Sequence, residues 1–421
     1  MGPLGHSLAA LTALTTAPFA AAALLLRPSL RPGLVERLGL IEPSLEETVW
    51  IHAASIGEAK AAVRLIGVLE EDGHALRAST STLTGREVFR RELPSLDSNL
   101  APLDHPWCVA AAIGRGRPKL SVLIETELWP NWIAACDRAE IPVVIASGRL
   151  SDRSFPRYSR IRRLLAPTLR RVSAVGARTD LDAERFVALG VPEGRVRITG
   201  DLKLDPPLAQ PALAIDLIRA LADAPVVVGG STHAGEEEAL LDAMEAAEKA
   251  GHGFILVLAP REIGRSAEVV RVCQKRRRRV HRRSQLAGRH LVPGEVLVLD
   301  TLGELAALYA AASIAFVGGT LVPGGGHNLL EPVHAGCPVL FGPYFENVRK
   351  VVGILEIGGA GRRVATRGEL VEEIVSSFDD LEDCRVRGEI GRGTLEAHRG
   401  SVDQTRALIE ELLDQRAATA D

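Results

Sequence analysis

Phe316-Val-Gly-Gly-Thr-Leu-Val-Pro-Gly-Gly-Gly-His-Asn-Leu-Leu-Glu-Pro-Val-His-Ala-Gly-Cys-Pro-Val-Leu-Phe-Gly-Pro343 decides how the chain is read. The apolar run from Ser313 to Val317 predicts a buried strand. Gly318 and Gly319 end it and let the backbone approach something closely. A second glycine cluster, Gly324 to Gly326, precedes His327 and Asn328, and Asn328 is placed to cap a short helix running to about Ala335. Pro338 to Phe341 reads as the next strand. A strand, a glycine-rich turn and a helix start form an anion site, because unpaired N–H groups and the helix dipole both face the ligand. Glu331, in the first turn, can accept hydrogen bonds from a sugar's hydroxyls. The same pattern also suits an ordinary βαβ unit with a roomy loop.

The pattern repeats upstream. Pro225 to Gly229 predicts a strand, and Gly230-Ser-Thr-His-Ala-Gly-Glu-Glu-Glu238 a second glycine turn into a helix, where Ser231 or Thr232 can cap the helix or hold a phosphate oxygen. Phe254 to Leu258 ends at Arg261, a candidate for phosphate or carboxylate recognition. Val296 to Leu299 is a further strand. Before these lies Asp205-Pro-Pro-Leu-Ala-Gln-Pro211, proline-rich and aperiodic, which predicts an interdomain linker.

The first half alternates predicted strands (Thr48–Ser55, Leu76–Thr80, Leu120–Glu125, Ile141–Ser147, Val172–Ala177, Arg197–Thr199) with amphipathic stretches, the signature of a parallel doubly wound sheet. Ligands of such sheets sit at the strands' C-terminal ends. Ser55 and Glu58, then Glu125, Glu127 and Asn131, then Arg149 all fall there. Two carboxylates two residues apart serve either as a loop cap or as a clamp on sugar hydroxyls.

With 421 residues and 46% hydrophobic content, the chain has length for two domains and ample material for two cores. A net charge of −3 gives no electrostatic case for nucleic acid as a partner. Five scattered cysteines without a CxxC pair argue against a disulfide framework or zinc site and suit a reducing compartment. Leu8 to Leu26 is uncharged and, at 19 residues, about long enough to span a bilayer. Arginines follow it and none precede it, so the positive-inside rule puts the rest of the chain in the cytoplasm behind one uncleaved anchor. Small residues after Pro18 leave a signal peptide as the rival. Glu36, in the segment after the anchor, reads on its own as a solvated partner of a neighbouring arginine. Lys275-Arg-Arg-Arg-Arg-Val-His-Arg-Arg283 is either a solvated face or a contact for anionic lipid. No Walker-type G-x-x-x-x-G-K-[ST] run is present, which argues against a P-loop phosphotransferase, and the turn after Trp50–Ala54 does not fit a dinucleotide fingerprint.

Two α/β domains joined by a proline linker, with anion-binding turns in the second, predict a GT-B-like glycosyltransferase: two Rossmann-like domains facing a central cleft. The expected divisions are an anchor over 1–30, an acceptor-binding domain over 31–205 and a nucleotide-sugar domain over 206–421. Glu36-Arg-Leu-Gly39, Trp50-Ile-His-Ala-Ala-Ser-Ile-Gly-Glu58, Glu125-Thr-Glu-Leu-Trp-Pro-Asn131, Gly148-Arg-Leu-Ser151, Gly230-Ser-Thr-His-Ala-Gly-Glu-Glu237 and Gly318-Gly-Thr through Gly326-His-Asn-Leu-Leu-Glu331 run in order over nearly the whole chain. In these motifs it resembles the 3-deoxy-D-manno-octulosonic acid (Kdo) transferases of lipopolysaccharide core assembly. The resemblance implies inverting transfer of Kdo from CMP-Kdo to the lipid A precursor, at the cytoplasmic leaflet of the inner membrane, without metal or cofactor. It implies Glu36 as catalytic base and Glu331 on the ribose hydroxyls. Ser231, Thr232 and the turn Gly318, Gly319, Thr320 are implied near the CMP phosphate, with Asn328 and Arg261 in the same nucleotide site. Ser55, Glu58, Glu125, Glu127, Arg149 and Lys203 are implied to line the active site. The chain departs from the pattern at Ile56, where Val is frequent, and at Asp201, where Asn is usual and which adds a negative charge near Lys203. A UDP-sugar transferase or epimerase on the same fold, and an inactive membrane-tethered lipid A binder, are the competing readings.

Overall fold

The computed structural model describes residues 33–126, 128–205, 212–222, 224–286, 288–396 and 399–420. The chain divides into two compact units. The first runs to Leu208 and resumes at His398, and the second spans Ala209–Ala397.

The first unit is built on seven strands: β1 (Thr48–His52), β2 (Leu76–Thr80), β3 (Asp97–Leu100), β4 (Pro118–Ile124), β5 (Val143–Gly148), β6 (Ala174–Ala177) and β7 (Val196–Ile198). Their order is β3-β2-β1-β4-β5-β6-β7, with every pairing parallel. Parallel strands need crossovers, and helices fill both faces, so central strands must be apolar on both sides. Accordingly β1 is buried at all positions. One face packs Leu65, Ile66 and Leu69 of the helix Ile56–Glu71; the other packs Trp50, Trp132 and Phe186. The sheet winds in opposite directions from β1 and β4, so its switch point lies between their C-terminal ends.

The second unit repeats the plan with β8 (Val226–Thr232), β9 (Ile255–Pro260), β10 (Val280–Arg282), β11 (Val296–Val298), β12 (Ile314–Val317), β13 (Val339–Phe341) and β14 (Gly361–Arg363). The order β10-β11-β9-β8-β12-β13-β14 is again parallel, with its switch point between β8 and β12.

Three strands lacked a sequence signal. β3, β10 and β14 are edge strands, partly exposed, and so carry no apolar run. The closing segment, expected within the 206–421 domain, belongs to the first unit instead. Its helix Ser401–Ala420 contributes Val402, Leu408 and Ile409 to the core beneath the helix Ile56–Glu71. The Asp205 carboxylate accepts from Gly400 N (2.9 Å) and Val402 N (2.7 Å) and seats the start of that helix. Arg406 is ion-paired with Asp72 and His74 with Glu410 farther along.

The anchor expected over 1–30 lies outside the described residues. Among the described residues no helix is long and apolar enough to cross a membrane. The basic run 275–283 is largely neutralised within the second unit. Arg276 pairs with Asp242 and Glu245, Arg278 with Glu248, Arg279 with Glu295, and Arg283 with Asp216 and Glu304. All five cysteines are buried and unpaired.

Candidate active site

Glu36 sits in a four-residue helical turn, Leu34–Arg37, entered through Gly33 in the left-handed region. The turn is held close to its neighbour: a Cβ on Gly39 would collide with the Cys108 carbonyl oxygen, and Gly39 has φ +84°. Glu36 is not a free linker residue. Its two oxygens accept from Arg86 Nη1 at 2.8 and 3.0 Å, and Oε2 also accepts from Leu100 N at the end of β3. The carboxylate is therefore held in a fixed orientation while its side chain stays 29% exposed. Large apolar side chains on this turn and the segment after it, Leu34, Val35, Leu38 and Leu40, are exposed as well, as are Leu83 on the helix that carries Arg86 and Trp107 on the helix Pro106–Gly116.

At the switch point of the first sheet, Ser55 and Glu58 form a capping box: Glu58 N donates to Ser55 Oγ and Ser55 N donates to Glu58 Oε2 (2.8 Å). Burial pushes the Glu58 carboxyl up, and the charge of Glu125 adds to the rise. Glu125 follows β4 with φ +64°, a conformation that costs a non-glycine residue of order 1–3 kcal/mol. Its Oε1 is bound by Arg178 Nη2 (2.6 Å) and by Lys203 Nζ. Burial alone would raise its pKa, but the two cations outweigh it and hold the carboxyl below the usual range. Ser55, Glu58, Glu125 and Lys203 are thus brought together. Arg149 flanks the group: its backbone N–H donates to Thr126 Oγ1 (3.0 Å) and its side chain is exposed. Glu127 lies outside the described residues. Glu36, at the β3 edge, is three strand spacings from Glu125, roughly 14 Å at about 4.8 Å per strand, so the two carboxylates do not share a hydrogen-bond shell.

In the second unit the expected phosphate cradle is already filled from within. Glu236, fully buried, accepts from His233 N (2.8 Å) and Gly319 N (2.9 Å) through Oε2, and from Thr320 N (3.1 Å) and Leu321 N (2.9 Å) through Oε1. Gly318 N donates to Gly230 O. A carboxylate with four amide donors is a satisfied buried anion, so the Gly318–Thr320 turn has no N–H left for phosphate. This corrects the expectation that the turn itself donates. The glycines serve backbone packing instead: Gly326 N donates to Gly319 O at 2.8 Å, and a Cβ on Gly319 would stand 2.9 Å from the His327 ring. The buried Thr232 hydroxyl is likewise engaged within the unit, donating to Glu237 Oε1 at 2.9 Å.

Ser231 remains available in kind. It is partly exposed and left-handed, φ +53°, at the end of β8. His233 and His327 stack with Nε2 atoms 2.8 Å apart and rings 5.1 Å apart at 8°. Burial first, then the charges of Arg261 and His233, lower the His327 pKa to about 4, so its ring is neutral at pH 7. Arg261 is exposed and its N–H donates to Thr232 O at 3.0 Å. Asn328 does not occupy the cap position of the helix Leu330–His334, which Leu329 takes. Its Oδ1 nonetheless accepts from Leu330 N (3.1 Å) and its Nδ2 donates to Glu331 Oε1 (3.0 Å). Glu331 is half-buried, and its charge is felt by the buried Tyr309 hydroxyl.

Sequence reasoning missed Glu236, the His233–His327 pair and Arg178. Arg178 carried a usable signal, a cation directly after a buried strand, the same one that singled out Arg261. Among the described residues no cluster of three His, Cys, Asp or Glu side chains is placed to hold a metal ion.

Two parallel doubly wound sheets, each with polar clusters at its switch point, define α/β units of the kind found in GT-B glycosyltransferases. Residues 33–206 match the family model described as 3-Deoxy-D-manno-octulosonic-acid transferase (kdotransferase). The chain is 33% identical over 402 residues to 3-deoxy-D-manno-octulosonic acid transferase of Haemophilus influenzae, covering 92% of this chain and 93% of that protein. It is 30% identical over 393 residues to the Bordetella pertussis protein of the same name, covering 91% of each. A solved structure, the putative UDP-N-acetylglucosamine 2-epimerase from Listeria monocytogenes, matches 88% of this chain and 97% of its own with TM-score 0.57 at 14% identity, a likeness of fold alone. The chain belongs to the 3-deoxy-D-manno-octulosonic acid transferase family.

Proposed function

We propose that this glycosyltransferase moves Kdo from CMP-Kdo onto a hydroxyl of the lipid A precursor, lipid IVA, with inversion at the anomeric carbon. The observation that carries the reading is Glu36. An inverting transfer needs one carboxylate to take the acceptor's proton as its oxygen attacks. Glu36 is fixed in direction by its Arg86 and Leu100 contacts and is still reachable. The apolar side chains around it suit an acceptor that arrives on acyl chains. Glu58, Glu125, Lys203, Ser55 and Arg149 line the active site in this reading, as does Glu127. On the nucleotide side, Glu331 takes the ribose hydroxyls, while Ser231, Asn328 and Arg261 face the phosphate. Gly318, Gly319, Thr320 and Thr232 shape that wall without donating to it. No metal is required: Arg261 and the neutral His327 supply charge and hydrogen bonds to the departing CMP phosphate. Turnover with CMP-Kdo and lipid IVA, set beside UDP-sugars, tests the reading. Release of UDP in place of CMP, or lipid binding without CMP release, would each overturn it.

Glu331→Gln keeps the shape and loses the charge of the ribose contact. It is expected to weaken CMP binding by about 1–3 kcal/mol, roughly 5- to 150-fold, the scale of a charge-assisted hydrogen bond. Titration calorimetry with CMP reads this directly, and unchanged affinity would reduce Glu331 to a partner of Asn328.

We also place the catalytic units at the cytoplasmic face of the inner membrane, tethered by residues 1–30. The uncharged run Leu8–Leu26 with arginines only after it supports this, as do the exposed Arg153, Arg157, Arg160, Arg162 and Arg163 of the first unit. Protease added to sealed inner-membrane vesicles is expected to cut the units only when the cytoplasmic face is outward. Cleavage in right-side-out vesicles would reverse the assignment.

A further inference from the structure

We infer that Arg178 is a positioning residue for Glu125 and Lys203, and that Asp201 is its buried counter-ion, so that Arg178 and Asp201 work as a pair. The inference rests on the transfer reading above, in which Glu125 and Lys203 line the active site.

The geometry is that of one guanidinium tying several segments. Arg178 directly follows β6, and its side chain is 3% exposed. Nη2 holds Glu125 Oε1 at 2.6 Å, after β4. Nη1 holds Asp201 Oδ2 at 2.9 Å, after β7. Nε donates to both the carbonyl oxygen and the hydroxyl of Ser147, in β5, at 3.0 Å. Nε supplies the hydrogen bonds to Ser147 while Nη1 and Nη2 each face a carboxylate as an ion pair, a division that the single ammonium of a lysine could not make. Two of the tied residues, Glu125 and Ser147, are non-glycine residues in the left-handed region, at φ +64° and +56°. Such conformations persist only where surrounding contacts over-determine them, and Arg178 contacts both. Asp201 then passes the constraint onward: its Oδ1 accepts from Lys203 N at 3.1 Å, and Lys203 Nζ returns to Glu125. Two carboxylates and two cations close a ring with no net charge.

The ring also accounts for the departure at position 201, where the resembling pattern has Asn. A carboxylate buried there without a cation would carry a large desolvation cost. Arg178 offsets part of that cost, and Lys203, whose N–H Asp201 accepts, has its ammonium beside the start of the helix Ile56–Glu71: a Cβ on Gly57 would lie 3.7 Å from Lys203 Nζ. Kdo is a sugar acid, and an ammonium beside a helix start is suited to its carboxylate.

The test separates positioning from charge compensation. Arg178→Gln alone leaves Glu125 and Asp201 buried without their shared cation and is expected to lower both Tm and turnover. Arg178→Gln combined with Asp201→Asn removes both buried charges, so its Tm is expected to return to near that of the parent chain. Its kcat for Kdo transfer is expected to stay at least tenfold low, with CMP affinity unchanged, because Glu125 has lost its fork. A double variant with restored Tm and restored kcat would reduce Arg178 to a neutraliser of Asp201 and overturn the inference. Amide exchange over residues 121–126, expected to quicken in the double variant, is read on the same preparations without turnover. A parent chain that transferred no Kdo would overturn the assigned reaction, and the exchange comparison would still decide on Arg178: equal exchange in the parent and double variant would refute it.

Discussion

Glu36→Gln is expected to slow Kdo transfer at least a hundredfold, about the lower end of what a general base contributes. Glutamine keeps the reach of the side chain and can still accept from Leu100 N, but it cannot take a proton. The fold is expected to survive. The partner lost is Arg86, and a partly exposed pair of this kind stabilises by about 1 kcal/mol or less. CMP affinity is also expected to hold, since the nucleotide contacts are assigned to the second unit. The combination is diagnostic: kcat collapses while Kd for CMP and Tm stay put. Single-turnover transfer with CMP titration on one preparation reads all of it. Near-normal turnover would remove Glu36 as the base and pass the role to Glu58, Glu125 or Glu127.

The second large effect is on stability. Glu236→Gln replaces one acceptor oxygen with an NH₂ group that faces N–H donors whichever way the amide is turned. Either His233 and Gly319 or Thr320 and Leu321 lose their acceptor. At about 1–3 kcal/mol for each buried donor left unsatisfied, the second unit should lose roughly 2–6 kcal/mol. All four tryptophans, Trp50, Trp107, Trp129 and Trp132, lie in the first unit. Urea unfolding followed by circular dichroism should therefore shift to lower denaturant, while the tryptophan-fluorescence transition moves far less. A circular-dichroism midpoint equal to that of the parent chain would sink the claim that this carboxylate holds the turn together.

What was legible in the sequence is what short-range pattern encodes. The central strands carry apolar runs because both their faces are covered, and the polar residues just after them mark strand ends. That put Ser55, Glu58, Glu125 and Arg149 just past the C-terminal ends of their strands, where the structure has them. The unreadable part is non-local. The amides of the glycine turn looked free because their acceptor, Glu236, precedes them by more than 80 residues. Arg178 became visible as part of the site only when β4, β5 and β6 were laid side by side and Asp201 was brought beside them. The basic run 275–283 read as a surface charge block because Asp216, Glu245 and Glu304, which answer it, are dispersed along the chain. Asn328 shows the limit of local rules as well: it caps by side chain from one position earlier than the rule assigns.

The return of the helix Ser401–Ala420 to the first unit has a consequence for the order of events during synthesis. A ribosome that has made the chain as far as Glu396 has made every strand of the second sheet. Leu65, Ile66 and Leu69, made more than 300 residues earlier, still lack Val402, Leu408 and Ile409, and Asp205 still lacks the amides of Gly400 and Val402. The unit that begins first is finished last. Its apolar helix face stays uncovered throughout the translation of its neighbour.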